Sequence, residues 1–166
     1  MGFIDYESSQ EYVAVDEYDE IMRRGLPKKG DILFTTEAPL GNVALIDRED
    51  VALAQRIIRF RMKPEYFLSS FALYGMMSEH FQLQLQSLST GSTAEGLKAS
   101  KLPILRLIAP PIQEQRTIVA FLSGETASID ALVAKVEAAT ERLLEYRTAL
   151  ITAAVTGKVN VRGAVV

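Results

Sequence analysis

Leu122, Ile129, Val136, Leu143 and Leu150 stand seven residues apart, and from Ile129 onward Leu132, Ala139, Tyr146 and Ala153 fill a second apolar position in each heptad. Such spacing puts both sets on one stripe of an α-helix. Sustained over more than three heptads, it is the pattern of a helix that meets another helix. Lys135, Glu137, Glu141, Arg142, Glu145 and Arg147 lie between the stripes, as a solvated face requires. From Ile129 to Ala154 alone, a rise of ~1.5 Å per residue gives roughly 40 Å, more than a small domain needs for itself. Two readings stand: a coiled-coil seam, or an amphipathic helix packed on its own domain.

The start of this helix lies in LIAPPIQEQRTIVAFL, residues 107–122. Pro110 and Pro111 forbid the continuation of a strand, and Gln113 and Glu114 place polar and acidic groups in the first turn, where unpaired amides favour them. Ser123-Gly124 weakens the helix locally and admits a break or kink there. At AVTGK the helix ends, since Gly157 can take the left-handed cap conformation.

Upstream of Pro110 the pattern alternates. DILFTTEAPLGNVALID holds two β-rich runs, Ile32 to Thr35 and Asn42 to Ile46, around a loop with Pro39 and Gly41, which predicts a hairpin with a longer loop. A third strand is expected from Gln55 to Phe60. Pro64 suits the first turn of a helix expected over residues 65–88, and a Gly/Ser/Thr-rich loop then leads to a short strand expected from Pro103 to Ala109. The chain therefore predicts an α+β fold: a domain of mixed strands and helices over residues 1–109, a helical region over 110–157 and a tail over 158–166.

Chemistry is sparse. Cysteine is absent, which excludes disulfides, thiolate catalysis and Cys-ligated zinc. The single histidine, His80, falls on a helix with no second histidine to complete a metal site, so a surface position is expected. GSTAEGLKA at 91–99 has spaced glycines, but a phosphate-binding loop needs Lys directly after the second glycine and then Ser or Thr, whereas Leu97 and Lys98 follow Gly96. No uninterrupted apolar run reaches the ~18 residues of a membrane span, and the N-terminus lacks a signal-type pattern. A cytoplasmic, non-catalytic protein is expected.

The net charge of −3 argues against coating nucleic acid through overall charge, yet the sign varies along the chain. Acidic residues crowd Asp5 to Glu20, while Arg56, Arg59, Arg61 and Lys63 cluster later. Alternation in QRIIRFRMK puts Arg59 and Arg61 on one face and Ile58 and Phe60 on the other. That face is either a solvated edge or a surface turned to DNA. Ser92, Thr93 and Lys98 are of the types that touch phosphate backbones, or they belong to a flexible connection.

Four segments in order, GDILFTTEAPLGNVALID at 30–47, STGSTAEGLKASKL at 89–102, PPIQEQRTIVAFL at 110–122 and LLEYRTALITAAVTGKV at 143–159, resemble the specificity subunits of type I restriction-modification systems. The resemblance implies a target-recognition domain that reads half of a split DNA sequence, followed by a helix that sets spacing and docks methyltransferase subunits, and through them the restriction subunit. It implies no cofactor on this chain, S-adenosylmethionine being expected on the methyltransferase partner. Under it, Thr35, Thr36, Arg59, Arg61, Ser92, Thr93 and Lys98 are the candidate DNA contacts. Leu122, Ile129, Leu132, Val136, Leu143, Tyr146 and Leu150 become a helix-pairing seam, with a homodimer expected through it. Only 29 residues precede Gly30, shorter than the family pattern, which suggests a half-length or N-terminally truncated subunit. A truncated assembly module that has lost DNA reading is the alternative.

Overall fold

The computed structural model describes residues 2, 4–9, 11–23, 25–53, 55–90 and 96–162. Contacts divide the chain into two units, Met1–Ala120 and Phe121–Val166. In the first, a short helix α1 (Tyr18–Ile21) precedes three strands, β1 (Ile32–Thr35), β2 (Val43–Leu45) and β3 (Ile57–Phe60). Helices α2 (Ser69–Met77) and α3 (Glu79–Leu88) and a 3-10 turn (Ala99–Ile104) follow, and then α4 (Ile112–Val155) begins. The fold is α+β, as expected.

Both neighbours of β1 are antiparallel to it, in the order β2-β1-β3. Ile32 faces Leu45 and Phe60 in register, and Phe34 faces Val43 and Ile58. Strand alternation then sends Ile32 and Phe34 to the same side, where both are fully buried with Val43, Ala72, Leu73, Met76, Phe81, Leu85 and Leu97. Phe34 meets Phe60 edge-on, with centroids 5.8 Å apart.

The β1–β2 loop depends on Gly41. Its φ of +84° suits glycine, and a Cβ there would lie 2.8 Å from Leu85 Cδ1 and 2.8 Å from Gln82 Oε1. Gln82 in turn donates to Gly41 O at 3.2 Å and Met76 O at 2.8 Å, tying the hairpin to the α2–α3 joint. The acidic N-terminal segment is held to residues 47–51: Tyr6 donates to the Asp47 carboxylate and Tyr18 to the carbonyls of Glu49 and Val51.

Three sequence expectations need correction. The single helix over 65–88 is two helices with a late start. Residues 64–66 form a turn, and Ser78, extended at φ −64° and ψ 148°, ends α2 and caps α3 by accepting from Phe81 N. Ser followed by Glu79 is an N-cap signature that apolar periodicity overrode. The strand expected from Pro103 to Ala109 does not form: residues 99–104 make the 3-10 turn, and the next segment bonds to a side chain instead of a strand. Gln84 accepts from Arg106 N at 2.9 Å and donates to Arg106 O at 3.1 Å, satisfying both backbone groups as a neighbouring strand would. Finally, α4 runs unbroken through Gly124. A glycine costs a helix only about 1 kcal/mol, and the long run on either side outweighs it.

Candidate nucleic-acid interface and helical seam

Helix α4 starts on a buried polar side chain. Gln115 is 0% exposed; its Nε2 donates to Tyr66 O at 2.7 Å and Pro110 O at 2.8 Å, and its Oε1 accepts from Leu68 N at 2.9 Å. The Leu68 amide is the one that a helix begun at Pro64 would have sent back to the Pro64 carbonyl, so its capture by Gln115 accounts for the late start of α2. One amide thus joins the first turn of α4 to the entry of α2.

Past Ala120, α4 belongs to the second unit. Its 44 residues correspond to about 66 Å. Gly157, at φ +73°, closes it, with Lys158 N bonded to Ala153 O at 2.8 Å. Of the expected seam, Leu122 is half-buried, while Ile129, Leu132, Val136, Leu143, Tyr146 and Leu150 are all 48–67% exposed. An 18-residue window of α4 reaches a mean hydropathy of 1.4, enough by length and composition to cross a membrane. Glu125, Asp130 and Lys135 interrupt the apolar sequence of the helix.

In the first unit, the expected DNA contacts have separate fates. Arg59 and Arg61 do share a face, but both turn to Asp31, which is 2% exposed. Arg61 grips it with two bonds of 2.7 Å, and Arg59 Nη1 lies 3.5 Å away while donating to Leu26 O. Lys28 N adds a bond of 2.8 Å. Burial by itself would raise the Asp31 carboxyl; the bonds from Arg61 and Lys28 and the charges of both arginines outweigh it and hold the group below the usual carboxylate range.

Thr35 and Thr36 spend their hydroxyls locally. Thr35 Oγ1 donates to Pro39 O at 2.5 Å and accepts from Asn42 N at 3.0 Å, and Thr36 Oγ1 donates to Arg56 O at 2.9 Å. Lys98 is exposed just before the 3-10 turn. Ser92 and Thr93 lie outside the described residues. His80 is exposed on α3, and among the described residues no group of three or more metal-binding side chains comes together.

Periodicity did not single out the end of β1, where three loops converge. Thr36 N bonds to Arg56 O and Thr36 O accepts from Leu97 N, each at 2.9 Å, and Glu37 bridges to Gly96. Arg56, at φ +73°, pairs through Nε with Glu37 Oε1 at 2.8 Å, and their side chains are 63% and 36% exposed. A positive φ at arginine is uncommon and cannot be read from residue order.

Comparison with known proteins places this geometry. The family "Type I restriction modification DNA specificity domain" matches residues 9–141. The chain is 26% identical over 141 residues to the type I restriction enzyme MjaVIII specificity subunit of Methanocaldococcus jannaschii, covering 81% of this chain and 32% of that protein. It is 27% identical over 100 residues to the type I restriction enzyme EcoKI specificity subunit of Escherichia coli, covering 60% and 22%. Among solved structures, the HsdS subunit from Thermoanaerobacter tengcongensis aligns with a TM-score of 0.52 and 26% identity over 73% of this chain and 33% of that one. The chain thus spans about a third or less of these relatives. The match runs from the acidic N-terminal segment through the three-stranded sheet and well into α4, and on that extent the chain belongs to the type I restriction-modification DNA specificity domain family.

Proposed function

We propose that this chain is a non-catalytic DNA-specificity component of a type I restriction-modification system. Its first unit reads half of a split DNA target. Helix α4 pairs with a second copy of itself and docks methyltransferase subunits, which carry S-adenosylmethionine and connect to the restriction subunit. The observation that carries this reading is the exposed seam from Ile129 to Leu150 in a chain of a DNA-specificity family. A contiguous apolar stripe of this kind marks a protein-interaction surface, and its heptad spacing selects a helix as the occupant. Two copies about a two-fold axis present two equal reading units, so the target is symmetric.

The test has two arms. Light scattering should find the chain dimeric and the Val136→Glu, Leu143→Glu double variant monomeric; a persistent dimer refutes the seam. The chain purified with its methyltransferase partner should prefer one DNA sequence across a salt series. Equal binding to all sequences removes the DNA-reading assignment and leaves helix pairing standing.

A further inference from the structure

We propose that Arg56 and Glu37 form the specificity-determining contact of the first unit and read a G·C base pair through the major groove; this rests on the DNA-reading assignment above. The ion pair brings Arg56 Nε to within 2.8 Å of Glu37 Oε1. Among the described residues, the two terminal nitrogens meet no acceptor, which leaves the edge that binds guanine O6 and N7 in a bidentate manner. The neighbouring carboxylate decides between a base and a phosphate. Glu37 repels phosphate oxygens, but it matches the N4 amine of cytosine, the donor a G·C pair presents beside the guanine acceptors. An arginine and a glutamate side by side therefore complement both halves of one base pair.

The pair is also held in place. Arg56 O takes bonds from both Thr36 N and Thr36 Oγ1, and Glu37 is bridged to Gly96, so the β3 entry, the β1–β2 loop and the segment before the 3-10 turn fix one another. The left-handed backbone of Arg56 is the kind of conformation that surrounding structure must enforce. Arg59 and Arg61, by contrast, are committed to Asp31.

The experiment uses the chain complexed with its methyltransferase subunit. The preferred sequence is selected from randomised duplex DNA, and binding of single-position variants of that sequence is then measured. Arg56→Gly removes the guanidinium where glycine relaxes the backbone, and unchanged thermal unfolding confirms that the fold is kept. It should reduce discrimination at one G·C position by about 5- to 150-fold and leave other positions unaffected. Glu37→Gln should weaken discrimination at the same position while raising affinity for unrelated DNA, because the repulsion of phosphate is gone. The proposal is overturned if Arg56→Gly weakens all sequences equally and lowers the salt slope by about one, the signature of a phosphate contact, or if discrimination is unchanged. If the unaltered complex prefers no sequence, the DNA-reading assignment falls first and this contact with it.

Discussion

Gln115 offers the most direct test of how the first turn of α4 is tied to the entry of α2. Replacing it with leucine keeps a buried side chain of similar length and strips partners from Tyr66 O, Pro110 O and Leu68 N. A buried backbone group without a partner costs about 1–3 kcal/mol. Water can reach part of this site, since Tyr66 is exposed and Pro110 only half-buried, so the expected loss is about 3–5 kcal/mol rather than the full sum. That is a large part of the ~5–15 kcal/mol that holds a domain together.

Gln115→Glu is the sharper variant because shape is conserved and only the donors change. A carboxylate would face two carbonyl oxygens now at 2.7 and 2.8 Å, so at neutral pH it should destabilise at least as much as leucine. Its deficit against the unaltered chain should shrink as pH falls and the carboxyl gains a proton to donate. Five of the six tyrosines lie in the first unit, Tyr146 is in the second, and tryptophan is absent, so urea unfolding followed by tyrosine near-UV dichroism reports chiefly the first unit, while amide exchange at Leu68 reports the bond itself. Leu68 should exchange faster in both variants. Unfolding within ~0.5 kcal/mol of the unaltered chain, the range of an indifferent surface change, would refute this account of the joint.

Gly41→Ala should cost about 1–3 kcal/mol, because the alanine takes a left-handed conformation and its Cβ presses on Leu85 and Gln82; a melting temperature equal to that of the unaltered chain contradicts the close approach. The Asp31 cluster gives an acid dependence: the folded carboxyl lies below its ordinary value, so its contribution is complete above roughly pH 4 and is lost as pH falls through the folded value. Asp31→Asn should remove that component from a pH series of urea unfolding and cost about 2–4 kcal/mol at neutral pH, because two arginines lose their counter-charge.

What the sequence disclosed follows from which interactions are periodic. The hairpin was legible because Ile32, Phe34 and Val43 alternate and Gly41 marks its loop; the long helix was legible because seven-residue spacing leaves few alternatives. Two of the failures, the late start of α2 and the missing strand, share one cause: a glutamine side chain replacing a backbone partner. Gln115 takes the amide that would have started α2 earlier, and Gln84 takes both groups of Arg106 that would have called for a strand. Glutamine binds backbone in either sense, so neither its type nor its neighbours announce which segment, 22 or 47 residues away, it will satisfy.

The arginines of β3 show how register, rather than composition, assigns charge. Ile32 pairs with Phe60 and Thr35 with Ile57, so the same ladder carried one step outward sets Asp31 opposite Arg61 at one end and Thr36 opposite Arg56 at the other, with Glu37 beside them. Each end of the β1–β3 pair therefore carries an acid–arginine couple, and burial separates their uses. Asp31 is 2% exposed, and stripping its partners would leave a buried charge at a cost of about 3–5 kcal/mol. The Glu37–Arg56 pair is open to water, where such pairs are worth about 0–1 kcal/mol, so it adds little to stability. The same chemistry thus stands at two ends of one ladder, locked where the carboxylate is buried and open to solvent where it is not.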